Sequence, residues 1–426
     1  MTSTDPDSDP EGLPVTYADI ERARERLDDD TVVKRTPVER STSLEEFVGG
    51  EVYLKMEHLQ WTGSFKTRGA YTKIRQDVAD GADEFVAASA GNHAQGVALA
   101  ATRCGADSTI FMPENAPQAK VEATRGYGAS VELVGRDFRE TMTHARSTVE
   151  DSDAVFVHAY DDPDIVAGQG TLGAEMYHDN PDVDTVVVPI GGGGLISGVS
   201  TAIKHLSPET RVVGVQATGA ETVHESLDKG FPVTLEEVDT IADGIATGGI
   251  SEMTLRMIRE HVDEVVTVTD TEIARAILLL MERAKQVVEG SGAASVAAVL
   301  GDDLDVSDET VMPLLCGGNL DMTQLRTVLI YALAGRKQII RIRVRIDDRP
   351  GRMEEISGVV ADFGANIHDV RHDRSVADLD VGEAYLVFDV ETSGAEHAAD
   401  IVDGIAAEGY EVDVANHRSD TRHRSS

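Results

Sequence analysis

The stretch Thr185-Val186-Val187-Val188-Pro189-Ile190-Gly191-Gly192-Gly193-Gly194-Leu195 decides the fold. Its first half is apolar without alternation, as in a strand buried on both faces. The glycines then turn the chain into a helix that opens at Leu195. Working outward, short apolar runs recur at 51–56, 84–88, 108–112, 154–157, 211–216, 264–268 and 310–315. Helix-length stretches such as 117–127, 138–149 and 163–177 lie between them, and Thr269-Asp270-Thr271-Glu272 has the form of a capping box. Strands alternating with helices predict parallel sheets covered on both faces, too many units for one small sheet, hence two α/β lobes.

The glycine run suits a phosphate. Glycines let backbone N–H groups close on an anion at the positive end of a helix. A dinucleotide loop needs G-x-G-x-x-G and an acid about 20 residues on. Here Ser197 holds the third place and the next strand ends in Gln216. A P-loop needs Gly-Lys-Ser/Thr, and Gly198 is followed by Val199. A plain packing turn explains two glycines better than four in a row. A mononucleotide-like phosphate remains.

Ser64-Phe65-Lys66-Thr67-Arg68-Gly69-Ala70 supplies the reactive group. The chain holds nine lysines, and this one sits between an aromatic ring and small residues. Burial lowers an ammonium's pKa and frees the amine to attack a carbonyl, the making of a Schiff-base lysine. Alone, a lysine is more often a solvated surface residue. Ser89-Ala90-Gly91-Asn92-His93-Ala94-Gln95-Gly96 lies where strand meets helix, the common place for binding groups in an open α/β sheet, although an Asn there is by itself more often a cap. Cys316-Gly317-Gly318-Asn319 follows another buried strand, where a cysteine is usually a small hydrophobe.

Together the four motifs resemble the fold-type II pyridoxal-phosphate (PLP) enzymes, and within them the threonine dehydratase (threonine ammonia-lyase) branch. The resemblance covers residues 16–334. It implies a PLP-dependent catalytic domain over 16–335, its smaller lobe roughly 55–160. It implies that Lys66 is the Schiff-base lysine and catalytic base, flanked by Phe65, and that Asn92 hydrogen-bonds the cofactor's phenolic oxygen. Gly191, Gly192, Gly193, Gly194 and Leu195 then hold the phosphate, and Cys316 faces the pyridine nitrogen. Gly244 and Glu289 fall in segments that line the family's site, and Ser89, Gly91 and His93 take the substrate carboxylate. A thiol is at most a weak donor, so the ring would be a weaker electron sink, which suits β-elimination. The implied reaction converts L-threonine to 2-oxobutanoate and ammonia, a first step toward isoleucine, and L-serine to pyruvate. The competing readings are serine racemisation or β-replacement on the same fold and, from another class, a non-enzymatic amino-acid sensor. The intact motif set speaks against the sensor.

From Gln338 the pattern changes. Ile340, Ile342, Val344 and Ile346 alternate with arginines, and the order of elements through residue 414 reads βαββαβ, the ferredoxin-like order. Residues 338–416 resemble an ACT regulatory domain, a fold whose bland reading is an oligomerisation module. The resemblance implies effector binding, with isoleucine or valine as ligand, by Asp347, Asp348, Gly351 and Asn366, whose loops are expected to converge at one edge. It also implies a homodimer or homotetramer.

Acidic residues outnumber basic ones 76 to 38, a formal net charge of -38. Such self-repulsion favours solubility where salt screens it and points to a halophilic source. It excludes nucleic acid and anionic membranes as natural partners. Cys104 and Cys316 make neither metal-ligand spacing nor a disulfide scaffold, which fits a reducing cytoplasm. No metal ligand set is expected, since Gln216 and Thr222 stand where related enzymes carry cation-binding acids. Residues 1–15 read as a disordered acidic tail without signal-peptide character, and 417–426 as a frayed end. No apolar run approaches the ~18 residues of a membrane span.

Overall fold

The computed structural model describes residues 12–27 and 31–415. It divides into two compact units, Met1–Asp321 and Met322–Ser426. The first unit carries β1 (Val38–Arg40), β2 (Glu51–Lys55), β3 (Glu84–Ala88), β4 (Asp107–Met112), β5 (Ser130–Leu133), β6 (Val155–Phe156), β7 (Thr185–Pro189), β8 (Arg211–Ala217), β9 (Glu264–Val268) and β10 (Thr310–Pro313). They form a six-stranded sheet, β1-β2-β10-β7-β8-β9, and a four-stranded sheet, β5-β4-β3-β6. All pairings are parallel except β1 with β2.

The quoted stretch forms as its composition demands. All five residues of β7 are buried, with β10 on one side and β8 on the other. Helix Gly194–Leu206 follows and lies against helix Pro163–Asp179, so close that a Cβ on Gly198 would stand 2.3 Å from the Val166 carbonyl. The Thr269–Glu272 capping box is present at the head of helix Asp270–Leu279.

The four-stranded sheet comes entirely from chain between β2 and β7, so the backbone leaves the large sheet, builds the small one and returns. Helix Lys66–Ala79 makes the outward crossing. Leu13 and Val15, expected in the acidic tail, instead pack with Ile20, Ala23 and Val166, and Val15 is fully buried; their side chains are apolar enough to be drawn into that cluster. The rest of that tail (1–11) and the expected frayed end (417–426) lie outside the described residues. Among the described residues, no helix is long and apolar enough to cross a membrane.

The second unit begins with helix Met322–Gly335, which the change of sequence pattern near residue 335 had grouped with the first. Then come β11 (Ile339–Asp347), helix Arg352–Asp362, β12 (Asn366–Asp373), β13 (Glu383–Glu391), helix Ala395–Ala407 and β14 (Glu411–Ala415), in sheet order β12-β13-β11-β14. One face buries Ile340, Ile342, Val344 and Ile346 with Ile356, Phe388 and Ile401. On the other, Arg341 pairs with Asp389 at 2.6 Å and Arg345 with Glu383.

Candidate active site

Lys66 opens the crossing helix, with Phe65 as its N-cap and the Lys66 ammonium 5.0 Å from that ring. Its backbone is held tightly. A Cβ on Gly96, in helix Asn92–Cys104, would come within 3.1 Å of the Lys66 carbonyl carbon. Gly69 and Gly168 meet face to face one turn on. The side chain keeps some exposure, but its amine is surrounded by protein and donates to the Ala159 carbonyl at 3.0 Å. Burial pushes that amine down to about 8, with Cys316 and Glu289 opposing.

The segment after β10 lies alongside. Phe65 N–H donates to the Cys316 carbonyl at 3.1 Å and Gly318 N–H to the Gly63 carbonyl at 2.9 Å. Cys316 is buried, its thiol donates to the Ser291 carbonyl at 3.4 Å, and burial pushes its pKa far up, so it stays a thiol. Asn92 donates to Glu289 Oε1 at 2.7 Å and accepts from Asn319 Nδ2 at 2.8 Å, while Ser291 donates a short bond to the same Glu289 oxygen. Burial raises the Glu289 carboxyl, and the bonds from Ser291 and Asn92 oppose that rise. Gly244 belongs to this cluster because a Cβ there would stand 2.4 Å from Ser291 Oγ and 2.9 Å from Glu289 Oε1. Asn319 and Ser291 were not assigned roles from sequence. The signal for Asn319 was its place in the Cys316 motif, and for Ser291 its place two residues after Glu289 in a segment that lines the family's site.

The glycine loop runs beside the Gly244–Ile245 segment. Gly193 caps helix Gly194–Leu206 at φ +90°, a conformation that costs a side chain strain. Gly192 lies flat under the Tyr160 ring, where a Cβ would be 2.3 Å from ring carbons, and a Cβ on Gly191 would be 3.1 Å from Ile245 Cα. Gly194, Leu195 and Ile196 open this helix with N–H groups that have no intrahelical acceptor, whereas Ser197 N–H donates to the Gly193 carbonyl at 3.0 Å. Ser64 Oγ and Ser197 Oγ are both buried without a partner among the described residues. An anion-suited helix end, an amine near neutrality, an Asn–Glu pair and a buried thiol fit a phosphorylated pyridine aldehyde such as PLP.

Gly91 opens helix Asn92–Cys104 and donates to Ser89 Oγ at 3.1 Å. His93 is buried, and burial with the neighbouring Lys66 pushes its imidazole down to about 3. It is therefore neutral, with Nε2–H donating to the Val157 carbonyl at 2.9 Å. Ser89 and Gly91 keep partial exposure at the head of this helix.

The four residues expected to bind an effector do not converge within one copy. Asp347 faces Glu383 on β13, whereas Asn366 faces Glu391, eight residue steps away, roughly 27 Å. Both β11 and β12 run antiparallel to β13, so they start at the same end of the sheet, and the loop that leaves β11 lies at the other. Asp348 is bound by Arg374 at 2.6 Å, and Gly351 caps the next helix at φ +101°. Among the described residues, no group of three or more His, Cys, Asp or Glu side chains is placed to hold a metal ion.

Comparison with known proteins agrees with this geometry. Residues 30–317 match the model of the pyridoxal-phosphate dependent enzyme family. An L-threonine ammonia-lyase of Thermotoga maritima is 45% identical, covering 94% of this chain and 99% of its own. The structure of processed threonine deaminase isoform 2 from Solanum lycopersicum superposes with TM-score 0.72 at 33% identity, over 78% of this chain and 96% of that one. Maize serine racemase superposes with TM-score 0.70 at 34% identity, over 76% and 100%.

Proposed function

This chain belongs to the pyridoxal-phosphate dependent enzymes, and from that membership we propose that it is an L-threonine ammonia-lyase, releasing 2-oxobutanoate and ammonia from L-threonine and pyruvate from L-serine. The observation that carries the proposal is the amine of Lys66, enclosed by protein, donating to the Ala159 carbonyl at 3.0 Å and lowered by burial to about 8 with Cys316 and Glu289 opposing. PLP, when bound, supplies an electron sink for charge developing at the substrate's α-carbon. Lys66 is the residue for its aldehyde, the first-turn N–H groups of Gly194 and Leu195 with the Gly191–Gly193 loop suit its phosphate, and Asn92, held by Glu289 and Asn319, suits its phenolic oxygen. Cys316 offers a neutral thiol at the pyridine end.

Lys66, lowered to about 8, stands closer to the pH of the cell than an ordinary lysine, so a larger fraction of its amine is free to act as a base there. Ser89 and the N–H groups at the head of helix Asn92–Cys104 suit the substrate carboxylate, and neutral His93 adds no charge to it. Racemisation is the second reading, favoured by the likeness to maize serine racemase. Ala90, between Ser89 and Gly91, has no proton to give, which supports elimination.

The second unit is read as an ACT-type regulatory module that takes isoleucine or valine at the Asp347, Asp348 and Gly351 end, Asn366 being supplied by a neighbouring copy of a homodimer or homotetramer. A cytoplasmic, halophilic setting is supported by the charge of -38. Measuring 2-oxo acid and ammonia released from L-threonine and from L-serine, with and without isoleucine or valine, tests this reading. Equal rates of D-serine and pyruvate formation would replace it with racemisation.

A further inference from the structure

Two residues beyond Lys66, about 200° round the same helix, lies Arg68. Its side chain is 1% exposed, yet every donor has a partner. Nε and Nη2 hold the two oxygens of Glu57 at 2.7 and 3.1 Å. Nη1 and Nη2 hold the two oxygens of Glu175 at 2.8 and 2.9 Å, and Nη1 also reaches Thr171 Oγ1 at 3.2 Å. The fork is thus bidentate to two carboxylates at once. These partners come from different elements, Glu57 from the turn after β2 and Glu175 from helix Pro163–Asp179.

A second buried cation completes the set. Lys55, fully buried at the end of β2, gives its three hydrogens to the Thr36 carbonyl at 2.9 Å, Glu175 Oε2 at 3.0 Å and Asp179 Oδ2 at 2.9 Å. Glu57 takes a further bond from Thr36 Oγ1 at 2.8 Å, and Arg35 pairs with Asp179. Burial works against the Arg68 charge, but Glu175 and Glu57 hold its guanidinium above the ordinary value. Among the described residues, no side chain of the network bonds a side chain of the candidate site. The network reaches that site through the first turn of the Lys66 helix and through β2, where the Lys55 carbonyl accepts from Leu315 N–H, next to Cys316, at 2.9 Å.

We propose that Arg68 is a positioning residue for the reaction: by locking that turn to Glu57 and Glu175, with Lys55 fixing Glu175 from behind, it sets where the Lys66 amine stands. The proposal rests on the reading of Lys66 as the PLP lysine. An ammonium at 68 keeps the charge but cannot hold two planar carboxylates bidentately as the guanidinium does, so the turn is free to shift against Gly96. Misplacement by an ångström from a distant change costs on the order of 10²-fold in rate.

The test uses full-length Arg68→Lys and, because that variant is open to misfolding, Glu175→Gln, whose site is partly exposed and leaves Glu57 on the guanidinium. Circular dichroism reports folding. Visible absorbance and borohydride trapping with peptide mapping report the rate and pH midpoint of PLP capture at Lys66. Steady-state kinetics separate kcat from KM. Support is a fall in kcat of ~10- to 100-fold for Arg68→Lys, or a smaller fall for Glu175→Gln, in folded protein, with threonine KM within about twofold and capture slowed. Wild-type kcat and capture in the folded fraction of both variants would overturn it. If the wild type attaches PLP elsewhere than Lys66, the cofactor reading fails first, and this inference with it.

Discussion

Gly317→Ala is a steric test of the cofactor pocket, because the added methyl has one place to go. Its Cβ would stand 2.4 Å from Glu289 Oε1 and 3.1 Å from Asn92 Nδ2. The backbone there cannot retreat. The Cys316 carbonyl accepts from Phe65 N–H at 3.1 Å, the Gly317 carbonyl from Glu289 N–H at 3.2 Å, and Gly318 N–H donates to Gly63 at 2.9 Å. Gly317 does not lie in the left-handed region, so no backbone strain accompanies the change. Glu289 must therefore swing away, and Asn92 loses its 2.7 Å bond to a carboxylate. Hydrogen bonds to charged groups contribute about 1.5–3 kcal/mol, and about 1.4 kcal/mol is tenfold in affinity. We expect PLP affinity, titrated by visible absorbance on the stripped enzyme, to weaken ~10- to 100-fold at unchanged global fold by circular dichroism. Gly126→Ala is the control, since nothing lies within 4 Å of its Cβ position at the end of helix Gln118–Gly126. It should bind PLP as wild type does and gain about 0.4–1 kcal/mol of stability. Wild-type PLP affinity in Gly317→Ala would refute the view that the Asn92–Glu289 contact shapes this pocket.

Ala90→Ser should add a D-serine signal, by chiral chromatography, to an enzyme that otherwise forms pyruvate with little racemisation; D-serine accumulating as fast as pyruvate in the wild type would count against the elimination reading. Chelator should leave activity unchanged, because the Gln216 amide already ties its loop together, donating to the Ala220 carbonyl at 3.2 Å and accepting from the N–H groups of Thr222 and Val223 at 3.0 and 2.9 Å. Activity abolished by chelator and restored by Mg²⁺ would refute that. PLP capture by stripped enzyme should rise with pH to a midpoint near the Lys66 value of about 8 and level off above it, since only the unprotonated amine attacks and burial holds its pKa below the ordinary lysine range. A midpoint near 10 would mean that the amine is solvated.

The parts of the fold legible in the sequence are those where burial imposes a pattern. β7 and β9 were marked by β-branched runs, and the capping box at Thr269 by its spacing. β1 and β5 were not, because Val38-Glu39-Arg40 and Ser130-Val131-Glu132-Leu133 are short, partly exposed and carry no apolar run; their partners β2 and β4 make them strands. The same holds for the π-helical turn Leu280–Ala284 and the left-handed Lys285 that follows, which lead the chain toward Glu289. At the site, Lys66, Asn92, the glycine loop and Cys316 stood inside recognisable motifs. Arg68 and Asn319 stood in the same motifs without a visible role, since what defines them is partners far along the chain: Glu175 for one, Asn92 for the other. The expected convergence of the effector loops within one copy failed for the converse reason. Motif proximity along the chain placed Gly351 and Asn366 together, and the strand directions put them at opposite ends of the sheet.

The central claim is that Lys66 makes this chain an ammonia-lyase, and the most direct measurement is 2-oxobutanoate and ammonia released from L-threonine by the full-length holoenzyme and by Lys66→Ala. The account predicts equal amounts of the two products from the wild type, and from Lys66→Ala a loss of at least ~10³-fold together with the visible cofactor band, because nucleophile and base are removed at once. Retention of the band and of the rate in Lys66→Ala would contradict it.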